Sequence, residues 1–214
     1  MQDDTPNVDF LLPGSWWRIP LDSEQAVRTK AKRLAEEALG KADERATKRR
    51  ELAQMLISAA QDAKAMGGQD FYFATEIVPG GRIPISLSVS WPQMPETLSM
   101  HAGPGAAAVA FAARTSRSWA SANIEVLDSE SGVVRSVEQR VILDPHKDGE
   151  EVPGLSKVTI SYWFFGPMHD RALMMSFTSP LVDETESLVT LCDAIASSVT
   201  WVKDVQEEPV DLVP

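Results

Sequence analysis

Cysteine is nearly absent from this 214-residue chain, which contains only Cys192. One thiol cannot form an internal disulfide, and it has no second thiol with which to build a zinc site. Long apolar runs are also missing, because no stretch approaches the roughly 20 residues that span a bilayer. The sequence therefore predicts a chain without a membrane span, and the single cysteine fits a reducing cytoplasm.

A positively charged leader is missing as well. Asp3 and Asp4 make the N-terminus acidic where a secretory signal peptide is basic, and the nearest apolar cluster stops at Pro13 and Gly14. These features argue against export by a standard signal peptide. We therefore expect a cytoplasmic location.

Positive charge is scarce, since 20 Lys and Arg face 31 Asp and Glu, giving a formal charge of -11 and a pI near 4.7. Such a chain repels polyphosphate unless its basic residues are segregated on one face. Residues 22–64 are the nearest candidate, with ten basic and eight acidic side chains, but the two signs alternate along it. We interpret this stretch as a solvated helical surface rather than an electrostatic docking surface, and we expect no nucleic-acid partner.

Composition divides the chain into three segments. Residues 1–15 are rich in Asp, Pro and Gly and are predicted to be a flexible N-terminal segment. Residues 16–202 carry periodic patterns and are long enough for one sizeable core, so they are predicted to form a single α+β domain. Residues 203–214 end in an acidic stretch punctuated by proline and are predicted to be a disordered tail.

Helical periodicity follows Asp22, a predicted N-cap that Gln25 would complete as a capping box. A straight helix over residues 23–66 would be about 66 Å long at 1.5 Å per residue, so we expect a break near Gly40. Near the C-terminus, four apolar residues spaced three or four positions apart predict a last helix. The apolar stripes of the first pair and of the last helix are Val27, Ala31, Leu34 and Ala38; Leu52, Leu56, Ala59, Ala63 and Met66; and Leu188, Leu191, Ile195 and Val199.

Alternating patterns predict three hairpins, at residues 71–78 with 85–91, 123–127 with 133–141, and 158–164 with 171–178. Residues 16–20 form a short strand or a lead-in segment, and the alanine-dense residues 106–113 predict a short helix. The expected fold is an α+β protein in which an antiparallel sheet of about six strands is packed by an N-terminal helix pair and a C-terminal helix.

The last third of the chain resembles a known fold. Residues 158–167, 171–180 and 188–201 are similar to the closing strand, strand and helix of the Mog1/PsbP-like α/β/α sandwich. Residues 16–21, with the strand at 67–72, are also similar to uncharacterised actinobacterial proteins of that type. The resemblance implies a fold that is associated chiefly with protein binding and assembly, and it carries no functional residue onto this chain.

Motifs of catalysis and metal binding are absent from the sequence. His101, His146 and His169 are far apart, and none has another metal ligand at helical spacing. The acidic residues at 144–151 do not match a calcium loop, and Cys192 is interpreted as an inert thiol. Gly-x-Ser-x-Gly and Walker patterns do not occur, so we predict no catalytic residue, no metal and no cofactor.

Three groups of residues are candidates for binding. Ser86, Ser88 and Ser90 occupy one side of a predicted strand, and Thr159 and Ser161 occupy the polar side of another. Together they would form a recognition surface, or a sheet face that is covered or solvated. Trp16 and Trp17, followed by Arg18, are core residues or interface anchors. His169 and Arg171 lie in a predicted hairpin turn, as an exposed polar tip or as a contact for an anion or partner.

The favoured hypothesis is a non-enzymatic protein-binding or scaffold module with a protein partner of unknown identity. The alternative is a small-molecule binding protein or cryptic enzyme with a pocket between helices and sheet. A homo-oligomer that assembles through Trp16 and Trp17 or the early helices is a third possibility.

Overall fold

The computed structural model describes residues 7–77, 83–95, 103–141, 144–145, 151–152, 156–166 and 170–202. In chain order its elements are β1 (Val8–Asp9), β2 (Ser15–Pro20), α1 (Glu24–Leu39), α2 (Ala46–Ala65), β3 (Gly68–Glu76), β4 (Ser86–Ser90), α3 (Pro104–Ser118), β5 (Ala122–Asp128), β6 (Val133–Val141), β7 (Asp144–Pro145), β8 (Glu151–Val152), β9 (Ser156–Phe164), β10 (Leu173–Ser179), α4 (Thr185–Ser197) and β11 (Thr200–Trp201).

The central sheet has seven strands in the order β2-β3-β4-β10-β9-β6-β5, and every neighbouring pair is antiparallel. The α+β class and the three predicted hairpins are confirmed, because β3 pairs with β4, β5 with β6, and β9 with β10. The sheet has seven strands rather than about six because residues 15–20 join it as an edge strand. Pro20, which has no N–H to donate, lies at the end of that strand.

The helix pair forms as predicted, with a shift of one residue at its start. Ser23, not Asp22, is the N-cap of α1, since its extended backbone lets its hydroxyl accept a hydrogen bond from the Ala26 N–H at 3.1 Å. The predicted capping box does not form, because the Gln25 side chain donates to Thr29 instead. Gly40 ends α1 with a φ of 73°, which confirms the predicted break.

Helix α3 is longer than the predicted helix at residues 106–113. Pro104 begins it, in the first turn where a missing N–H costs nothing, and it continues to Ser118. The hydroxyls of Ser116 and Ser118, on the exposed side of the last turns, donate to carbonyls four residues earlier.

Helices cover the two faces of the sheet unequally. Helix α4 packs on one face through Leu188, Cys192 and Ile195, above strands β3, β4, β10 and β9. On the other face α1 and α2 pack on β2 and β3, while α3 packs on β6 and β9. The register places Phe71 of β3 and Ser161 of β9 on the same face, so both helical groups lie opposite α4.

Part of the predicted flexible segment 1–15 lies along the fold. Val8–Asp9 pairs with Thr200–Trp201, and the Leu11 N–H donates to the Ser198 hydroxyl at 2.8 Å. Residues 1–6 and the predicted tail at 203–214 lie outside the described residues. Within the described part of the chain, no helix combines the length and the apolar character needed to cross a membrane.

Gly14 and Gly40 offer a matched test of the approach to β2. Both have a φ near +74°, but a Cβ on Gly14 would overlap the Glu76 carbonyl oxygen, whereas one on Gly40 would meet nothing within 4 Å. We expect Gly40→Ala to cost about 1–3 kcal/mol from backbone strain alone, because a φ of 73° with a ψ of 178° suits only glycine. Gly14→Ala should cost about 1–3 kcal/mol more, measured by urea unfolding, because the β2–β3 end must also move apart. Equal losses of stability in the two variants would contradict the close approach of Gly14 to the Glu76 carbonyl.

Candidate functional site

Trp16 and Trp17 point to opposite faces of the sheet, because successive residues of a strand alternate. Trp16 lies against the α4-side core, and its indole N–H donates to the Pro13 carbonyl at 2.8 Å. Trp17 packs on the α1–α2 side and stacks on Phe73, with ring centroids 6.3 Å apart. Each tryptophan is half-buried, so the pair divides into two separate surfaces.

A cleft of about 660 Å³ opens beside Trp17, between the α1–α2 pair and the end of the sheet; we name it the Trp17 cleft. Its lining is mainly apolar, with Trp17 and Phe73 as its aromatic residues and Leu39 and Leu52 from the helices. The remaining lining residues are Ser15, Glu37, Ala38, Ala74, Thr75, Glu76, Ile83 and Pro84.

The helical wall of the Trp17 cleft is held by two arginines at the start of α2, the N-cap residue Arg45 and Arg49 in the first turn. Arg45 donates to the Leu39 carbonyl at 3.2 Å, and Arg49 donates to the Gly40 carbonyl at 2.9 Å. These bonds satisfy carbonyls that the end of α1 leaves without helical partners. The connection between the helices is therefore fixed, and with it the position of Leu39.

Arg18 lies on the other face of β2 and lines a second pocket of about 430 Å³, which we name the Arg18 pocket. Its Nε and Nη2 atoms donate to the two Asp70 oxygens at 3.0 and 2.9 Å. This hydrogen bonding raises the pKa of Arg18, and burial raises the pKa of the neighbouring Tyr72 phenol. Phe10 from the N-terminal segment packs edge-on against Tyr72.

The predicted hydroxyl surface is a continuous face of the sheet on the side opposite α4. Strand β10 lies between β4 and β9 and contributes Ser176, which connects Ser88 to Ser161. With Ser136 of β6 these serines form one row across four strands. Ser161 and Ser176 hydrogen-bond to each other at 2.9 Å. Ser86 is half-buried while Ser88 and Ser90 are buried, so most of this face is packed rather than exposed.

The predicted turn residues are only partly described. His169 lies outside the described residues, as do His101 and His146. Arg171 is half-buried and forms a β-bridge with Gln93, which places it beside residues 92–95. Among the side chains that the structure describes, no group of three or more His, Cys, Asp or Glu could hold a metal ion.

A partly buried polar network that the sequence patterns did not indicate joins α4 to the sheet. The Tyr162 hydroxyl donates to Asp193 at 2.7 Å, and Arg135 donates to both Asp193 and Glu125, at 2.5 and 2.6 Å. Burial and the bond to Asp193 raise the pKa of Tyr162 far above its usual range. The signal was present in Tyr162 itself, since a tyrosine on an apolar strand face needs a partner for its hydroxyl.

Cys192 lies next to this network and fits the interpretation of an inert thiol. It is fully buried, whereas the predicted inward residue Leu191 is only half-buried. Burial raises the pKa of the Cys192 thiol well above its ordinary value, so the reactive thiolate does not form near neutral pH.

These features define an α/β/α sandwich with an antiparallel central sheet and an apolar cleft at one end. No protein-family model matches the sequence, and no curated protein is significantly similar to it. Solved structures similar to the chain include that of cyanobacterial PsbP (CyanoP) from Synechocystis sp. PCC 6803, which is 14% identical. The match covers 64% of this chain and 75% of that one, with a TM-score of 0.35. At this score the two folds agree only in part, so the likeness assigns no role to any residue here.

Removing Asp193 should destabilise the protein more than removing Glu125. Asp193→Ala leaves the buried Tyr162 hydroxyl without its acceptor and leaves Arg135 with Glu125 alone, at a cost of about 1–3 kcal/mol. Glu125 is the exposed end of the network, so Glu125→Ala should cost less than about 1 kcal/mol. Urea unfolding measures both, and equal losses would show that the network does not hold α4.

Alkaline pH should destabilise the fold through its two tyrosines. The folded-state pKa values of Tyr72 and Tyr162 both lie above the unfolded value of about 10. The stabilisation is therefore complete below about pH 10 and is lost as the pH rises, because only the unfolded chain readily loses these protons. Phenolate absorbance and urea unfolding across this range measure the effect, which Tyr162→Phe should weaken. Ordinary ionisation of both phenols in the folded protein would contradict it.

Proposed function

We propose that this protein is a non-enzymatic protein-binding module that holds an apolar segment of a partner protein in the Trp17 cleft. The observation that carries the proposal is the cleft itself, an opening whose main lining is aromatic and aliphatic. It is built on α1, α2, β2 and β3 rather than on loops alone. Rigid elements present a contact surface without a large entropic cost of ordering on binding.

The residues of the Trp17 cleft suit a partner contact. Half-buried Trp17 and Phe73 offer large flat areas, and tryptophan is enriched among the residues that dominate binding energy. Strand β2 ends the sheet, so the described strands leave its outer edge unpaired. An extended segment of the partner would run along that edge and place a side chain in the cleft.

The positions of the most perturbed groups support a role without turnover. Tyr162 of β9 and Cys192 of α4 are both fully buried where α4 packs on the sheet, on the face opposite the Trp17 cleft. A general acid, base or nucleophile must reach its substrate, and neither group lines the cavity of about 410 Å³ that the described residues form beside Asp193.

Further parts of the proposal rest on sequence. A cytoplasmic location is proposed from the single cysteine and the acidic N-terminus, and the Mog1/PsbP-like and actinobacterial relationship from the residues quoted for it. Assembly of a homo-oligomer through Trp16, Trp17 or the early helices also stays a prediction. Measuring the mass of the protein in solution tests it.

A small molecule in the same cleft is the second candidate function. The Trp17 cleft lies between helices and sheet, and its volume of about 660 Å³ falls in the range of small-molecule sites, roughly 300–1,000 Å³. A ligand that remains bound during purification would be detected by native mass spectrometry, which separates this candidate from a protein partner.

Filling the cleft should abolish partner binding without unfolding the protein. Ala38 is an exposed helical residue in the cleft lining, so Ala38→Phe places a ring in the opening and removes no core contact. Affinity capture from the native host should retain partner proteins on the wild type and lose them on Ala38→Phe.

Ala113→Phe is the matched control. Ala113 is also exposed on a helix, but it does not line the cleft, so its variant should capture the same proteins as the wild type. Thermal unfolding checks that both variants fold. The proposal is wrong if Ala38→Phe captures every protein that the wild type does.

A further inference from the structure

We infer that the partner segment binds as an antiparallel strand whose anchor residue lies opposite Trp17, while the two neighbours of that anchor bond to the backbones of Trp16 and Arg18. This inference rests on the proposed function and adds to it the register and the backbone chemistry of the partner. Its basis is the hydrogen-bond pattern of the edge strand β2.

One backbone hydrogen bond beyond the end of β2 shows which residues of the strand bond to β3. The Leu21 N–H donates to the Gln69 carbonyl at 3.2 Å. In an antiparallel pair, residues that exchange both hydrogen bonds alternate with residues that exchange none. Counting back from Leu21 in steps of two, Ile19 and Trp17 therefore direct their N–H and C=O groups toward β3.

The opposite side of β3 gives the same result independently. The Ala74 N–H donates to the Ile85 carbonyl at 3.0 Å, on the β4 side of β3 and away from β2. Ala74 is the partner of Trp16 in the register, so Trp16 and Ala74 form a pair without mutual hydrogen bonds. The backbone groups of Trp16, and two residues later those of Arg18, therefore point away from the sheet.

The outer edge of β2 thus presents a short row of backbone groups. Pro20 is the next outward position, and it offers a carbonyl alone because its nitrogen carries no hydrogen. Trp16 and Arg18 each offer an N–H and a carbonyl, and none of the described strands or turns pairs with them. From Trp16 to Pro20 the row is about 13 Å long at 3.3 Å per residue. An extended backbone is the ligand that such a row fits.

Antiparallel addition continues the arrangement of the whole sheet and places one partner residue directly opposite Trp17. Opposed residues lie on the same face of a sheet, so the side chain of this anchor lies on the side of the Trp17 cleft. Trp17 directs its backbone groups inward, which makes this a pair without hydrogen bonds. In such pairs the Cα atoms are about 4.5 Å apart and the side chains are closest.

The partner's backbone is therefore needed unequally along the segment. The neighbours of the anchor lie opposite Trp16 and Arg18 and exchange hydrogen bonds with them. The N–H and C=O groups of the anchor point away from β2, so an anchor that lacks its N–H is tolerated whereas a neighbour that lacks it is not.

Backbone N-methylation of a peptide tests this register. Phage-displayed random peptides are selected on the wild-type protein and counter-selected on Ala38→Phe. The anchor is then identified as the apolar residue whose replacement by Ala loses the most affinity. N-methylation of either neighbour should weaken binding by about tenfold, because it removes a donor to Trp16 or Arg18. N-methylation of the anchor should change the affinity by less than about twofold.

Amide hydrogen exchange provides a matched comparison within the same strand. In the free protein the amides of Trp16 and Arg18 should exchange at least about tenfold faster than those of Trp17 and Ile19, which bond to β3. The bound peptide should slow exchange at Trp16 and Arg18 by a larger factor than at Trp17 and Ile19. NMR spectroscopy measures all four amides in the intact chain.

The outcomes separate the register from the binding of a peptide at all. Peptides that need the open cleft but respond equally to N-methylation of the anchor and of its neighbours would overturn the inference and leave the proposed function standing. Slow exchange of the Trp16 and Arg18 amides in the free protein would do the same. If selection yields no peptide that is sensitive to Ala38→Phe, the peptide-binding proposal and the inference both fail.

Discussion

The structure depends on burying both faces of one antiparallel sheet. Successive side chains of a strand face opposite sides, so each inner strand must serve two cores. On β9, Tyr162 packs beneath α4 whereas Trp163 packs beneath α3. Trp16 and Trp17 follow the same rule on the edge strand β2, where the sheet and the α1–α2 pair both end. The Trp17 cleft is a consequence, because alternation places an aromatic ring where few elements remain to cover it.

Much of the fold could be predicted because its signals are local. The break at Gly40 and the three hairpins depend on a few consecutive residues, and a positive φ or an alternating strand is visible in the sequence. The pairing of β4 with β10 joins distant segments and has no such signal. The hydroxyl face was therefore only half predicted: Ser88 and Ser161 follow from alternation, whereas Ser176 joins them only once the strand order is known.

The candidate site could be predicted less well, because its parts come from separate elements. Trp17 stands out by residue type, but the Trp17 cleft also needs Leu39 and Leu52, which the sequence shows only as members of helices. The polar network was missed because the buried face of α4 was predicted one residue out of position. Treating Leu191 as the inward residue of α4, when Cys192 is the buried one, conceals that Asp193 reaches Tyr162. A shift of one residue changes a helical face by about 100°.

Burial decides between the hydroxyl face and the Trp17 cleft as the surface of interaction. On the sheet Ser161 and Ser176 hydrogen-bond to each other, and Ser88, Ser90 and Ser161 are less than a tenth exposed. A partner would have to displace whatever packs there and break bonds that are already made. In the Trp17 cleft the free energy of contact is favourable instead, because the half-buried rings of Trp17 and Phe73 still expose apolar area that a partner would remove from water. A surface that gains free energy on contact with a partner is the better place to expect one.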